Sequence, residues 1–315
     1  MTAPPSSPPS RTGADANGEV AGPGTGPASA SLRWHRAPAV TTALVAALAV
    51  WLTWRVFATT TTGRLVDEAA LDGAELGQNR LWRIAEPVLE VISVPFIAIV
   101  LLSTILLAVL RRRVGLAVQV VVLMGGANLT TQVLKLGVLH RPDLGLGDLL
   151  LPALPSGHTT AAASVAAALV LVVPRRVRPS AAVLGAIYTT ATGVSTLVGR
   201  WHRPSDAIAA VLVVLAWAGV ATAIGSRRAV PREEGHHQNA AAAGLLLLAA
   251  LSTGALAGLA LQRSVAGLED GLTSTAELLT AYGGGALGVA SVACLAFGLL
   301  LVLVRAAEPP PRQAV

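Results

Sequence analysis

The 315-residue chain is 53% hydrophobic with a mean hydropathy of +0.65, and only 13% of its residues are charged. A soluble domain carries about 25% charged residues, so this composition predicts a chain that is solvated largely by lipid. The net charge of +6 comes from basic residues spread over short loops, which excludes a nucleic-acid-binding surface. The single cysteine, Cys294, lies inside an apolar run and excludes an internal disulfide framework and a cysteine-based metal site.

Two terminal segments are predicted to be disordered tails. Residues 1–36 consist mainly of Pro, Gly, Ser, Ala and Thr, with too few large apolar residues to bury a core. Residues 306–315 have the same character. We therefore expect the folded part of the chain to lie between these two tails.

Eight apolar runs between the tails are candidates to cross a hydrocarbon core roughly 30 Å thick. Each run is predicted to be a helix, because lipid offers no partner to open backbone groups and the runs are too uniformly apolar for barrel strands. The sequence thus predicts an all-α, polytopic transmembrane bundle, with a six-helix core in residues 37–226 and two additional helices in residues 227–305. The fourth span is short and is expected to begin at the interface or in a protein-lined cavity. The predicted spans are 38–58, 88–110, 114–134, 157–173, 180–199, 207–225, 240–261 and 283–304.

The distribution of arginines predicts the orientation of the bundle. If the N-terminus lies inside, the inner loops and tails hold 14 arginines and the outer loops hold 7. Basic residues are enriched on the cytoplasmic side, so both termini are predicted to be cytoplasmic. The Ala-, Val- and Arg-rich composition is typical of a high-GC bacterium, which predicts a bacterial plasma membrane.

The loop between the first two spans, Gly63–Pro87, is long, acidic and outside in this orientation. Its acidic residues are interpreted as a solvated face rather than a second site. Its apolar residues predict a helix that lies on the membrane surface. These apolar residues are Leu65, Val66, Ala69, Leu76, Trp82 and Ile84.

Three short polar segments interrupt the apolar runs, and all three fall on the predicted outer face. The first ends the third span and continues into His140-Arg141-Pro142. The second, residues 155–158, opens the fourth span, and the third, residues 199–206, joins the fifth and sixth spans. Asn128, Thr131 and Gln132 precede the first segment at helical spacing, and bonding between helices is as good an interpretation for them as a role in a site.

These segments together predict a site for a tetrahedral, multiply charged anion. Lys135 is the only lysine, and a charge at the membrane boundary marks function by default. Arg141 and one of Arg200 or Arg203 add guanidinium groups that match phosphate oxygens. Ser156 and Gly157 lead into a helix, whose free N–H groups favour anions, and Gly157 lets the backbone approach the anion.

Two histidines predict phosphoryl transfer. Asp206 follows His202 by four residues, and an Asp–His hydrogen bond would fix the tautomer and leave the other ring nitrogen free to attack phosphorus. His158, on another segment, is placed to protonate the leaving alkoxide. The basic residues can hold the developing charge, so neither a metal nor another cofactor is expected.

The motifs Pro155-Ser156-Gly157-His158 and His202-x-x-x-Asp206, preceded by Lys135 and Arg141-Pro142, resemble those of the type-2 phosphatidic acid phosphatase superfamily. The resemblance covers about residues 38–225 and includes the order of the motifs among six core helices. It implies His202 as the nucleophile, Asp206 as its orienting partner and His158 as the acid. It also implies that phosphate is bound by a set of four residues, namely Lys135, Arg141, Ser156 and Gly157.

Two departures from the family pattern concern the phosphate ligands. Five residues rather than the usual six separate Lys135 from Arg141. Thr196 stands where the family has an arginine after Ser195, and Arg203 is predicted to replace that arginine in preference to Arg200. The last two spans lie outside the family core.

The sequence therefore predicts a metal-independent hydrolase of lipid phosphate monoesters or polyprenyl diphosphates at the extracytoplasmic face. Its expected partners are the lipid phosphate and the surrounding membrane lipids, and the sequence carries no prediction of the oligomeric state. The alternative is a catalytically altered lipid-binding or transport protein on the same fold, which Thr196 keeps open. A purely structural bundle leaves the clustered Lys, Arg and His residues unexplained.

Overall fold

The computed structural model describes residues 27–78, 82–83, 85–87, 99, 102–103, 106, 114–145, 154–225 and 236–307. The predicted second span, 88–110, lies outside these ranges except for four single residues, and so do most of the two predicted tails. The described residues contain no strand. The prediction of an all-α bundle is therefore confirmed.

The helices are numbered here in chain order. A π-helical turn, Leu134–Val138, extends the third helix, and a 3₁₀ turn, Gly267–Asp270, follows the seventh. The helices are α1 (Pro27–Phe57), α2 (Thr61–Glu75), α3 (Val114–Val133), α4 (Gly157–Val172), α5 (Arg178–Val198), α6 (Pro204–Gly225), α7 (His236–Ala266) and α8 (Thr275–Ala306).

Six of these helical segments are long and apolar enough to cross a membrane, so the protein is an integral membrane protein. They belong to α1, α3 with its π turn, α5, α6, α7 and α8, whereas α4 has only 16 residues. Several helices extend beyond the predicted apolar runs. For example, α8 begins at Thr275 rather than at residue 283, because Ser274 and Glu277 form a capping box before the apolar run starts.

Helix α6 lies at the centre of the bundle. It packs against α1, α3, α4 and α8, and it is the most buried of the candidate spans. Close contacts fix it on two sides: a Cβ on Gly219 would lie 2.6 Å from the Ala39 carbonyl oxygen, and the Trp217 ring covers Gly126 of α3. Helix α6 therefore has little freedom to move, and its N-terminal end is held in place.

The outer faces of α1 and α7 keep large apolar side chains exposed, as a surface that contacts lipid requires. These side chains include Leu44, Leu48 and Trp51 on α1 and Leu245, Leu248 and Leu251 on α7. The apolar composition of the chain is thus divided between a buried core and a lipid-facing surface.

Helix α2 departs from its predicted place on the membrane surface. It packs along α8 and also touches α1, α5 and α6. Gly73 allows this approach, because a Cβ there would lie 2.1 Å from the Leu278 carbonyl oxygen. Its charged residues Arg64 and Asp67 are buried. The prediction of a surface helix is wrong, since small residues let α2 enter the bundle and its charged side chains find partners there.

Candidate active site

The third motif is built at the start of α6. Helix α5 ends at Val198, and the Thr196 carbonyl then accepts hydrogen bonds from the Trp201 and His202 amides at 3.0 and 3.2 Å. Asp206 lies in the first turn of α6, and its Oδ2 lies 3.2 Å from His202 Nδ1. The same oxygen accepts the Arg203 amide at 3.1 Å. The predicted contact between His202 and Asp206 across a helix start is thus present.

The first motif meets the same carboxylate. Arg141 Nη2 donates to Asp206 Oδ1 at 3.2 Å, and both side chains are buried. Arg141 Nε is buried and has no acceptor among the described residues. Asp206 therefore uses one carboxylate oxygen for the His202 imidazole and the other for the Arg141 guanidinium.

The second motif is joined to the third through the backbone. The Ser156 amide donates to the Asp206 carbonyl oxygen at 2.9 Å. Ser156 is the N-cap of α4, since its Oγ accepts the Thr159 amide, and the helix begins at Gly157 as predicted. A Cβ on Gly157 would meet no atom within 4 Å, so open space lies beside this helix start. This is the environment in which N–H groups at a helix start can bind an anion.

His158 and Lys135 complete the cluster of basic groups. The His158 ring lies 5.3 Å from the Trp201 ring, which in turn meets Trp82 edge-on at 6.0 Å. Lys135 lies on the π-helical turn and is half-buried. Burial, and next the neighbouring His202 and Lys135, lower the pKa of His158, so a residue of each of the three motifs takes part in this electrostatic interaction.

The two candidate replacements for the missing arginine have different surroundings. The side chain of Arg203 is 2% exposed, and its Nε donates to Glu68 Oε2 at 2.6 Å. Its Nη1 is buried without an acceptor among the described residues. The side chain of Arg200 is 33% exposed and bonds to Asp72, at 3.0 Å, and to Glu75. Thr196 itself donates its hydroxyl to the Gly193 carbonyl of its own helix at 2.7 Å.

The acidic residues of α2 form the predicted solvated face only in part: the side chains of Asp72 and Glu75 are 46% and 62% exposed, whereas Asp67 is buried and Glu68 nearly so. Asp67, Glu68, Asp72 and Glu75 all contact the third motif or the turn that leads into it. Glu68, Asp72 and Glu75 recur every three to four positions, so these three lie on one face of the helix, and Asp67 lies beside that face. That spacing, together with Arg64, is the signal in the sequence that could have indicated a packed, charged face.

Asp67 and Arg64 are buried groups that the motifs do not include. Asp67 accepts the Ser205 amide at 3.1 Å and the Ser205 hydroxyl at 2.5 Å. Arg64 donates to the Ala58 and Pro142 carbonyls at 3.0 and 2.5 Å. Burial and the charges of Arg141 and Arg203 lower the pKa of Arg64. Arg64 thus lies close to two arginines of the motifs.

Two of the polar residues in α3 join helices. Thr131 Oγ1 lies 2.9 Å from Thr160 Oγ1, and Asn128 donates to Ser164 at 3.1 Å. These contacts connect α3 to α4, which carries the second motif at its start. The interpretation of Asn128 and Thr131 as interhelical residues is therefore the one that the structure supports.

The fold and this site define a helical integral membrane protein in which a histidine and an arginine bond to one buried carboxylate, with a half-buried lysine and a second histidine near them. The family model described as the PAP2 superfamily matches residues 116–229, which contain all three motifs. That region belongs to the type-2 phosphatidic acid phosphatase superfamily, as its motifs predicted, and this indicates phosphatase-type activity. No curated protein and no solved structure matches the chain.

The burial of Asp67 predicts a pH-dependent stability. Burial, and next the negative charge of Asp206, raise the pKa of Asp67 from 3.8 to about 7, against the opposing effects of Ser205 and Arg141. Between these two values the folded state holds a proton that the unfolded state has released, so the contribution of Asp67 to the free energy of unfolding falls as the pH rises.

Asp67→Asn removes this titration and keeps a side chain of the same shape. We expect its melting temperature in detergent to rise relative to the wild-type protein between about pH 5 and about pH 8. Asp72→Asn, on the exposed part of the same helix, is the control and should show no such trend. A parallel pH dependence of Asp67→Asn and wild type would contradict the prediction.

Proposed function

We propose that the protein hydrolyses phosphate monoesters or diphosphates carried by membrane lipids, through a phosphohistidine on His202. The observation that carries this proposal is the Asp206 carboxylate, which bonds to His202 and Arg141 within hydrogen-bond distance. Two buried arginine N–H groups, Arg141 Nε and Arg203 Nη1, accompany it and have no acceptor in the part of the chain that the structure describes. A nucleophile and unpaired donors for phosphate oxygens are thereby combined at one place.

The first step transfers the phosphoryl group to the protein. With the Nδ1 proton of His202 directed at Asp206, Nε2 keeps its lone pair and can attack phosphorus. A bond forms between Nε2 and phosphorus while the bond from phosphorus to the leaving oxygen breaks. His158 gives its proton to that oxygen, so the product leaves as an alcohol, or as a lipid phosphate when the substrate is a diphosphate.

The second step restores the histidine. His158, now neutral, takes a proton from a water molecule whose oxygen attacks the phosphorus. The bond between Nε2 and phosphorus breaks, and inorganic phosphate leaves. The charge that develops on the phosphoryl oxygens is held by Lys135, Arg141 and Arg203, with N–H groups at the start of α4. These cationic groups supply the stabilisation, so the proposed reaction needs no divalent metal.

The lipid nature of the substrate is supported by where the site lies. The motifs lie at the ends of membrane-spanning helices, where a phosphate head group can reach the basic cluster while its hydrocarbon tail stays in the bilayer. Phosphatidic acid, phosphatidylglycerol phosphate and polyprenyl diphosphates share this chemistry. In the proposed reaction the basic residues bind only phosphate, so the proposal covers all of these head groups.

Phosphate release by the purified protein tests the proposal. We expect release from a panel of lipid phosphates and diphosphates that continues in EDTA and is inhibited by vanadate, which mimics the pentacoordinate transition state. Binding of the same lipids without phosphate release would support the catalytically altered binding or transport protein instead. A strict requirement for Mg²⁺ would contradict the metal-independent mechanism.

The division of labour between the two histidines predicts different dependence on the leaving group. His202→Ala should abolish hydrolysis of every substrate, because no phosphohistidine can form. His158→Ala should lose activity severely on alkyl phosphates and less on p-nitrophenyl phosphate, whose leaving group departs as its anion.

Rapid mixing of each variant with p-nitrophenyl phosphate measures this difference. We expect a burst of p-nitrophenol from His158→Ala and none from His202→Ala. A burst from His202→Ala together with its loss in His158→Ala would reverse the two assignments.

Arg203 rather than Arg200 is proposed to replace the family arginine, because it is buried, adjoins His202 and has an Nη1 with no acceptor among the described residues. Arg203→Ala should lower kcat by about 10² or more, as the loss of other charge-stabilising groups does. Arg200→Ala should have a much smaller effect, since that side chain is directed at Asp72 and Glu75.

The double variant Arg203→Ala/Glu68→Gln separates loss of phosphate binding from the cost of an unpaired Glu68. We expect its kcat to remain as low as that of Arg203→Ala. Recovery of kcat in the double variant, or equal small effects at both arginines, would show that Arg203 does not hold the phosphoryl group.

The proposed orientation, with cytoplasmic termini and an extracytoplasmic site, rests on the arginine distribution and is testable by cysteine labelling. In a Cys294→Ala background, His140→Cys lies on the exposed first-motif segment and Val177→Cys on the exposed turn between α4 and α5. An impermeant maleimide added to intact cells should label position 140 and should label position 177 only after permeabilisation. The opposite pattern would invert the orientation.

A further inference from the structure

We propose that Asp67 of α2 is a positioning residue, which caps the start of α6 from another helix and thereby fixes the His202–Asp206 pair. This inference rests on the proposed function for its catalytic consequence. Asp67 lies outside the matched family region, residues 116–229, and in none of the three motifs. It belongs to a helix that this chain places against the catalytic segments.

The contacts of Asp67 are those of a helix cap that is supplied by another helix of the same chain. Helix α6 begins at Pro204, so the Ser205 amide is one of the donors that have no partner within the helix. Asp67 accepts this amide with one carboxylate oxygen and the Ser205 hydroxyl with the other, at 3.1 and 2.5 Å. Asp67 and Ser205 are 2% and 1% exposed, so water does not compete for these bonds.

The residue that would ordinarily cap α6 cannot make this contact. A capping side chain is short and carries an oxygen, as in Ser, Thr, Asp or Asn. Here Arg203 precedes Pro204, and its side chain is held by Glu68, one residue beyond Asp67 on α2. Helix α2 thus binds the start of α6 twice, once through the Ser205 amide and hydroxyl and once through the Arg203 guanidinium.

The consequence for chemistry follows from the position of Ser205 beside Asp206. Asp206 must keep one oxygen on His202 and the other on Arg141, and both contacts are already near the upper end of hydrogen-bond distances at 3.2 Å. A small rotation of the first turn of α6 would break one of them. A misplacement of about 1 Å can cost about 10² in rate even when the changed residue does not touch the substrate.

The same helix also holds the first motif. Arg64 precedes Asp67 by three residues, so both project from one side of α2. Arg64 donates to the Pro142 carbonyl, next to Arg141, while Asp67 binds the start of α6. Helix α2 therefore holds the residues next to Arg141 and Asp206 and so fixes the distance between these two. It contributes no residue to the proposed reaction itself.

Steady-state kinetics on four single variants test the inference. Asp67→Ala should lower kcat about tenfold or more with KM nearly unchanged, because Asp67 positions the nucleophile and does not contact phosphate. Ser205→Ala keeps the amide contact and should lower kcat only about threefold, as expected for one hydrogen bond. Asp67→Asn retains an acceptor for the amide and a donor for the hydroxyl, so it should restore most of kcat.

Ser274→Ala is the matched control, because it removes the cap of α8, in which Ser274 bonds to Glu277 of the same helix rather than to α6. It should lower stability without lowering kcat. Equal kcat in Asp67→Ala and wild type, or an equal loss in Ser274→Ala, would overturn the inference. If Asp67→Ala does not fold, unchanged kcat in Ser205→Ala overturns it, and reduced kcat there with an active Asp67→Asn supports it.

Amide hydrogen exchange supplies a readout that is independent of activity. Exchange in a peptide covering residues 199–210 should be faster in Asp67→Ala than in wild type and unchanged in Ser274→Ala. If the wild-type protein releases no phosphate but exchange is still faster in Asp67→Ala, the cap is upheld and the proposed phosphatase function fails. Unchanged exchange together with unchanged kcat would reject the cap and leave the phosphatase function intact.

Discussion

The Asp206 carboxylate is the group on which the arrangement of the site depends. Its two oxygens bind His202, Arg141 and the Arg203 amide, and its backbone carbonyl binds the Ser156 amide. Each of the three motifs is therefore tied to one residue, which is completely buried. A buried charge is costly unless it is paired and hydrogen-bonded on all sides, and removal of one partner leaves the other uncompensated. The same requirement that stabilises Asp206 thus holds the nucleophile, the phosphate-binding arginine and the start of α4 in a single arrangement.

Helix packing in the centre of the bundle holds the site at its end in place. Helix α6 contacts α1, α3, α4 and α8, and small residues on these helices permit close packing without a hydrophobic driving force in lipid. Because Asp206 lies in the first turn of α6, the packing of this helix also fixes the position of Asp206. The contacts Thr131–Thr160 and Asn128–Ser164 give α4 a fixed relation to α3, so the second motif is held by the same packing.

The described helices and the placement of the motifs were largely predictable, because hydrophobic runs and helix-start residues are local signals. Pro204 and Ser156 mark the starts of α6 and α4 in the sequence as they do in the structure. The role of α2 was not predictable in the same way. Its mixture of apolar and acidic residues fits a surface helix equally well, and the partner of Asp67 lies 138 residues further along the chain. Only the folded arrangement shows that Glu68 meets Arg203, whereas Thr196 uses its hydroxyl within its own helix.

The α2 helix also helps to balance the positive charge of the buried arginines. Arg64, Arg141 and Arg203 lie near one another, and without counter-charges their mutual repulsion would oppose folding of the apolar bundle. Glu68 and Asp206 supply those charges, yet Arg203 keeps Nη1 and Arg141 keeps Nε without an acceptor among the described residues. A guanidinium can do both because its five N–H donors point in fixed, different directions, whereas a lysine ammonium offers a single compact centre. Arginine at these two positions therefore lets the protein neutralise its own interior while retaining directed donors for a phosphate.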